Sequence, residues 1–220
     1  MPRNGNYIVL EGLDGAGNTT QLHEVGSYLK EIGQRAIEIA EPGDTVIGGL
    51  LRKIIKDSSI VRTPDSNLDM FTISRRELVS QVIEPTVDRG IHVVSDRNWF
   101  SSVAYQGFGE GIDRYHIINR MEQALGKYFM PDLVAIIKVP VDVAIERMIG
   151  RDDTKKDYFE SKGSQYFKKV YDGYEWLAQE FSQHTVIIDG TKSVEEVKQD
   201  IVSHLLGRLS LDNTVSLNNF

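Results

Sequence analysis

The sequence predicts an α/β protein of three layers, a five-stranded parallel sheet flanked on both faces by helices. Three observations predict it. Short apolar runs rich in β-formers alternate with longer stretches of helical period, which is the pattern of strand, crossover helix and parallel strand. A glycine-rich turn, Gly12-Leu13-Asp14-Gly15-Ala16-Gly17-Asn18-Thr19-Thr20, joins the first apolar run to the first helical stretch. At 220 residues, 40% hydrophobic and 26% charged, the chain can bury one substantial core, and no linker or internal repeat divides it.

In chain order, strands are predicted near Tyr7 to Leu10, Ala36 to Ile39, Ile91 to Ser95, Leu133 to Val139 and Thr185 to Ile188. The first helix carries Leu22, Val25, Leu29 and Ile32 on one stripe and stops at Gly33, a residue suited to a helix C-terminus. Arg52 falls on a helix after the second strand, and Phe71, Arg75, Arg76 and Glu77 on a further one. Pro140 opens a helix with Val141, Ala144, Ile145 and Met148 inward and Gly150 at its end. Ser164 to Ser182 repeats Phe167, Val170, Tyr174, Leu177 and Phe181, a stripe that reads as core. Ser193 with Glu196 forms a capping box for the last helix, through Val197, Ile201 and Leu205. The domain spans 1–207, and the polar, aperiodic stretch 208–220 reads as a flexible tail.

Composition excludes several function classes. A formal net charge of -7 offers no basic field for nucleic acid or an anionic membrane, so a bound anion must be held by local geometry. The absence of cysteine removes disulfide, thiolate and Cys-metal chemistry. No signal peptide or membrane span is read, so a cytoplasmic location is expected. The five histidines show no ligand-like spacing and read as structural or solvent-facing.

Ligands of open parallel sheets sit beyond the carboxyl ends of the strands, and four polar segments meet that condition. The opening turn matches G-x-x-x-x-G-K-[ST] except that Asn18 stands in the lysine position. Thr19 is where Mg²⁺ on a phosphate would take a hydroxyl ligand, and Asp14 is either an acid facing a cation or an Asx-type brace of the turn. After the second strand, Glu41-Pro42-Gly43-Asp44-Thr45 makes a tight turn whose Glu41 either orients water or substrate or is solvated. Phe71 and Arg75, four apart on one helix face, could hold a flat ring and its phosphate; the alternative is Phe71 in the core with Arg75 solvated. Asp96-Arg97 closes the third strand with a second Mg²⁺-organising carboxylate and a phosphate clamp.

Taken together, Glu11 to Gly17, Glu41 to Thr45, Phe71 to Arg75, Asp96-Arg97, Ser101-Ser102, Ala104 to Gly107 and Pro131-Asp132-Leu133 resemble the thymidylate kinase family, in order and spacing, across about two-thirds of the chain. The resemblance implies the three-layer P-loop kinase fold, a homodimer, and transfer of the ATP γ-phosphoryl group to dTMP with Mg²⁺. By that similarity Phe71 would stack on thymine, and Arg75 and Arg97, with Arg52 as a further candidate, would grip the dTMP phosphate. Ser102, Tyr105 and Gln106 would line the base and sugar pocket. Asp14 would contact the sugar or the metal-bound phosphates, and Arg147 with Asp189, Gly190 and Thr191 would border the adenine.

The chain departs from the family pattern at three cations: Asn18 replaces the loop lysine, Ala40 an arginine before Glu41, and Tyr158 a lid arginine. Losing one well-placed cation costs on the order of 10²-fold in rate. Arg151, Lys155 and Lys156, in the lid expected over 151–160, are the candidates to replace the charge. The expected catalytic set is therefore Asp14, Arg97, Arg151 and Lys155. Two alternatives stand beside it, a non-catalytic nucleotide-binding protein and a deoxynucleoside kinase.

Overall fold

A computed structural model describes residues 5–150 and 158–209. In chain order the elements are β1 (Tyr7–Gly12), α1 (Asn18–Glu31), β2 (Ala36–Ala40), α2 (Val46–Lys56), α3 (Pro64–Leu78), α4 (Glu84–Asp88), β3 (His92–Asp96), α5 (Trp99–Ser102), α6 (Arg114–Leu125), β4 (Leu133–Lys138), α7 (Val141–Ile149), α8 (Ser164–Glu180), β5 (Thr185–Asp189) and α9 (Val194–Leu209). All strand pairs are parallel, in the order β2-β3-β1-β4-β5. The chain winds first to one side of β1 and then to the other, which opens a crevice at the carboxyl end of the central strand.

Register fixes what meets there. Leu10 and Ala40 both pair with Asp96, and Gly12 pairs with Ile137. The glycine turn, the Glu41 turn and the Asp96-Arg97 pair therefore leave the sheet side by side. Asp132 ties the sheet's opposite end, accepting a 2.7 Å hydrogen bond from the Tyr7 amide. The sheet interior, Ile8, Val9, Leu10, Val93, Val94, Val134 and Ala135, is fully buried, as strands covered on both faces require.

Side-chain caps start several helices, of which only the Ser193 and Glu196 box was expected. Thr45 accepts from the Gly48 amide (2.9 Å), Thr63 from the Ser66 amide (3.2 Å) ahead of Pro64, and Ser193 and Glu196 exchange the two bonds of a capping box. Differences from expectation are small. Helix α8 ends at Glu180, not Ser182. On α7 only Ala144 is fully buried, with Val141, Ile145 and Met148 half-buried. Arg208, expected in the tail, is helical and donates to the Gln183 and Thr185 carbonyls. Residues 210–220 of the tail lie outside the described residues.

Two widened π turns were not foreseen. Val79–Ile83 links α3 to α4 just ahead of Pro85, whose missing N–H cannot close an ordinary helical bond. Val103–Gly109 continues α5 and carries Tyr105 and Gln106 to the crevice. Among the described residues, no helix is long and apolar enough to cross a membrane.

Candidate active site

The loop after β1 needs its glycines. Gly12, Gly15 and Gly17 have φ of 155°, 86° and 105°, and a Cβ on Gly15 would lie 2.4 Å from the Ala144 carbonyl oxygen. Only glycine satisfies that conformation and that clearance together. The loop helps to line a cavity of about 220 Å³, through Asn18 and Thr19 among others, and Phe71, Tyr105, Gln106 and Phe159 line it too. Asp14, Glu41, Arg52, Lys56, Asp96 and Arg97 supply the charged lining.

Arg97 is the centre of the polar network. Its backbone is left-handed, with φ 77°, an uncommon state for a side chain of this size. The guanidinium reaches Asp14 Oδ1 at 2.7 Å through Nη2, and Nη1 donates to the Gly12 carbonyl (2.9 Å), Ser101 Oγ (3.0 Å) and the Tyr174 hydroxyl (3.0 Å). The Tyr105 hydroxyl accepts from the Asp14 amide at 3.0 Å. Of the two readings open for Asp14, its side chain takes the first, facing a cation in Arg97.

Behind this network lies Glu11, fully buried. It accepts four hydrogen bonds, from the Asn98 amide (2.8 Å), the Ser101 amide (3.1 Å), Ser101 Oγ (2.7 Å) and the Tyr174 hydroxyl (2.8 Å). Burial pushes the Glu11 carboxyl above the ordinary range, while Arg97 and these donors pull it back. Four donors on two oxygens favour the ionised form, although burial outweighs them.

Thr19 Oγ1 donates to Asp96 Oδ2 at 2.6 Å, so hydroxyl and carboxylate stand together at the head of α1. This is a hard-oxygen pair of the kind that suits Mg²⁺. Among the described residues no three His, Cys, Asp or Glu side chains converge, so such an ion would rely on nucleotide phosphates and water for its other ligands. Asn18 is buried, and its Oδ1 has no hydrogen-bond partner.

Several expectations need correction. Arg75 does not face the cavity: it is 2% exposed, with Nε on Glu41 Oε2 (2.5 Å), Nη1 on Ser102 Oγ (3.1 Å) and Nη2 on the Asn98 carbonyl (2.9 Å). It is not solvated; in this arrangement it braces the walls, and its role toward the dTMP phosphate stays a proposal. Glu41 is not solvated either, because Arg75 pairs with it in the interior, and burial raises its carboxyl pKa above the ordinary range despite Arg75. Ser102 is taken up by Arg75 and does not line the cavity.

Thr20 is exposed on α1, and Gly12 and Ala16 shape the turn without lining the space. Arg147 donates to the Gly190 carbonyl at 3.1 Å and the Thr191 hydroxyl donates to the Asp189 carboxylate at 2.6 Å, which places these four residues together beyond β4 and β5, apart from the cavity lining. Tyr158 turns to Glu110 (3.2 Å) under the Arg62 guanidinium and does not line the cavity. Arg151, Lys155 and Lys156 lie outside the described residues.

Sequence reasoning missed Glu11, Asn98, Ser101, Tyr174 and Phe159 as site residues. Glu11 carried a signal, a lone acid closing an apolar strand. Tyr174 carried none, because its period matches its buried neighbours.

Comparison with known proteins bears on this geometry. The family model described as Thymidylate kinase matches residues 10–201. The chain is similar to the thymidylate kinase of Thermosipho africanus, 36% identical over 197 residues, which is 90% of this chain and 96% of the relative. It is similar to that of Kosmotoga olearia, 36% identical over 200 residues (91% and 95%), and to that of Fervidobacterium nodosum, 37% identical over 198 residues (89% and 96%).

Proposed function

The chain belongs to the thymidylate kinase family, an enzyme family that phosphorylates dTMP, and from that premise we propose the reaction ATP + dTMP giving ADP + dTDP. The observation that carries this reading is that one cavity is lined by the glycine turn, Arg97, Phe71 and Tyr105 together. A donor triphosphate fits the loop amides and the N-terminus of α1, where the helix dipole favours anions. A pyrimidine fits between the aromatic rings, its 5′-phosphate directed at Arg97.

The acceptor phosphate oxygen attacks the γ-phosphorus in line, and the P–O bond to ADP breaks. That oxygen is already ionised at neutral pH, so no general base is assigned. Thr19 and Asp96 would hold Mg²⁺, which supplies positive charge to the donor phosphates when bound. Arg97 orients the acceptor, Asp14 orients Arg97, and Phe71 with Phe159 keeps water from the base. Arg151 and Lys155 are retained as candidates for the positive charge Asn18 does not supply, and Arg147, Gly190 and Thr191 for the adenine border.

The proposal extends to a cytoplasmic protein acting as a homodimer. The exposed stripe Val46, Leu50 and Ile54 on α2 with Ile73 on α3 supports a second copy as partner, and light scattering on the purified chain tests it.

A second reading, a nucleotide-binding protein without catalysis, is favoured by one observation, the neutral Asn18 in the anion cradle with its buried Oδ1 unpartnered. Coupled measurement of ADP release with and without dTMP decides between the two. dTMP-dependent release supports the kinase, and nucleotide binding without release supports the alternative. Competition between thymidine and dTMP tests the deoxynucleoside kinase reading.

A further inference from the structure

We infer that Glu11 and Tyr174 are positioning residues for the acceptor phosphate, holding the Arg97 guanidinium in its working orientation through two hydroxyl relays. The inference deepens the proposed function and rests on Arg97 being the phosphate clamp.

The geometry is specific. Arg97 Nη1 donates to Ser101 Oγ and to the Tyr174 hydroxyl, and each of those hydroxyls donates onward to Glu11 Oε2, at 2.7 and 2.8 Å. A hydroxyl has one hydrogen, so with both hydrogens committed to Glu11 each oxygen turns its lone pairs to the guanidinium. Glu11 itself is 3.7 Å from Nη1, too far for a good hydrogen bond. It acts by setting the direction of the hydroxyls.

Arg97 needs this support. Its φ of 77° is sparsely populated, and such residues persist only where their surroundings over-determine them. A guanidinium also has a competing partner, Asp14, at 2.7 Å on Nη2. A phosphate arriving from the cavity can draw on Arg97 without displacing it only if Nη1 remains held from behind.

Tyr174 reaches this position from α8 because of the residue before it. A Cβ on Gly173 would lie 2.9 Å from the Ala104 Cα, so glycine lets α8 approach the π turn closely. Tyr174 is therefore more than a member of the apolar stripe.

The test is titration calorimetry of dTMP and of thymidine on the full chain, wild type and Tyr174→Phe, with kcat measured beside it. The phenylalanine keeps the ring packing and removes one relay. Weakening of dTMP binding by about tenfold with thymidine binding unchanged is expected, since a hydrogen bond to a charged group is lost only for the ligand that uses Arg97. Glu11→Gln should weaken dTMP further, because its amide hydrogens force both hydroxyls to turn theirs toward Arg97. Unchanged dTMP affinity in Tyr174→Phe, or equal weakening of dTMP and thymidine, overturns the inference. Failure of the kinase reading appears separately, as absence of dTMP-dependent ADP release in the wild type.

Discussion

At residue 18 one side chain decides how much charge the phosphate cradle carries. An asparagine there offers a neutral amide, and its Oδ1 is buried without a donor. Transfer of a phosphoryl group is governed by positioning and electrostatics, so Asn18→Lys should raise kcat by about tenfold or more in a coupled ADP assay. A fall in kcat would mean that the site has adapted to the neutral residue. Phe71 belongs to the same scale. Stacking of a base on an aromatic ring is worth about 1–3 kcal/mol, so Phe71→Ala should raise KM for dTMP by roughly 5–150-fold and leave KM for ATP unchanged. Steady-state kinetics with each substrate varied in turn reads the difference.

At the scale of elements, the site depends on how closely α8 packs on the π turn Val103–Gly109. Gly173 meets the Ala104 Cα and the Phe108 ring, with no room for a methyl group. Gly173→Ala should destabilise the fold by about 1–3 kcal/mol, read as a lowered urea midpoint, because backbone on both sides must move. The same change should lower dTMP affinity, since it draws the Tyr174 hydroxyl away from Arg97. The turn after β2 is held in a similar way. Asp44, at φ 57°, accepts from the Ala40 amide at 2.6 Å, and Arg52 donates to the Pro42 carbonyl at 2.7 Å. Arg52 thus anchors the turn that presents Glu41 while also lining the cavity.

At the scale of the whole molecule, buried titratable groups set the response to pH. His92 opens β3 with Nδ1 accepting from the Asn6 amide (3.1 Å), which only the unprotonated nitrogen can do. Burial lowers its pKa below the usual histidine value, with Asp132 opposing. Its contribution is therefore complete above about pH 6.5 and is lost as pH falls through the lower native value. Urea midpoints at pH 8 and pH 5 should fall further apart for the wild type than for His92→Gln. Glu11 and Glu41 carry the opposite sign: burial raises both, so their contribution is complete below about pH 4.3 and declines as pH rises through the native values.

By itself the sequence determined the alternating elements, the parallel sheet, the glycine turn, the cap at Ser193 and the cavity residues Asp14, Asp96 and Arg97, while the family resemblance added Phe71 and Tyr105. Those features depend on periodicity, turn chemistry and neighbours close in the chain, which a linear reading contains. Only the tertiary structure decided that Arg75 points inward to Glu41, 34 residues away, and that Tyr174 meets Glu11 across 163 residues. A polar side chain's role is set by which partners the fold brings within about 3 Å of it, and residue type and spacing do not encode that distance.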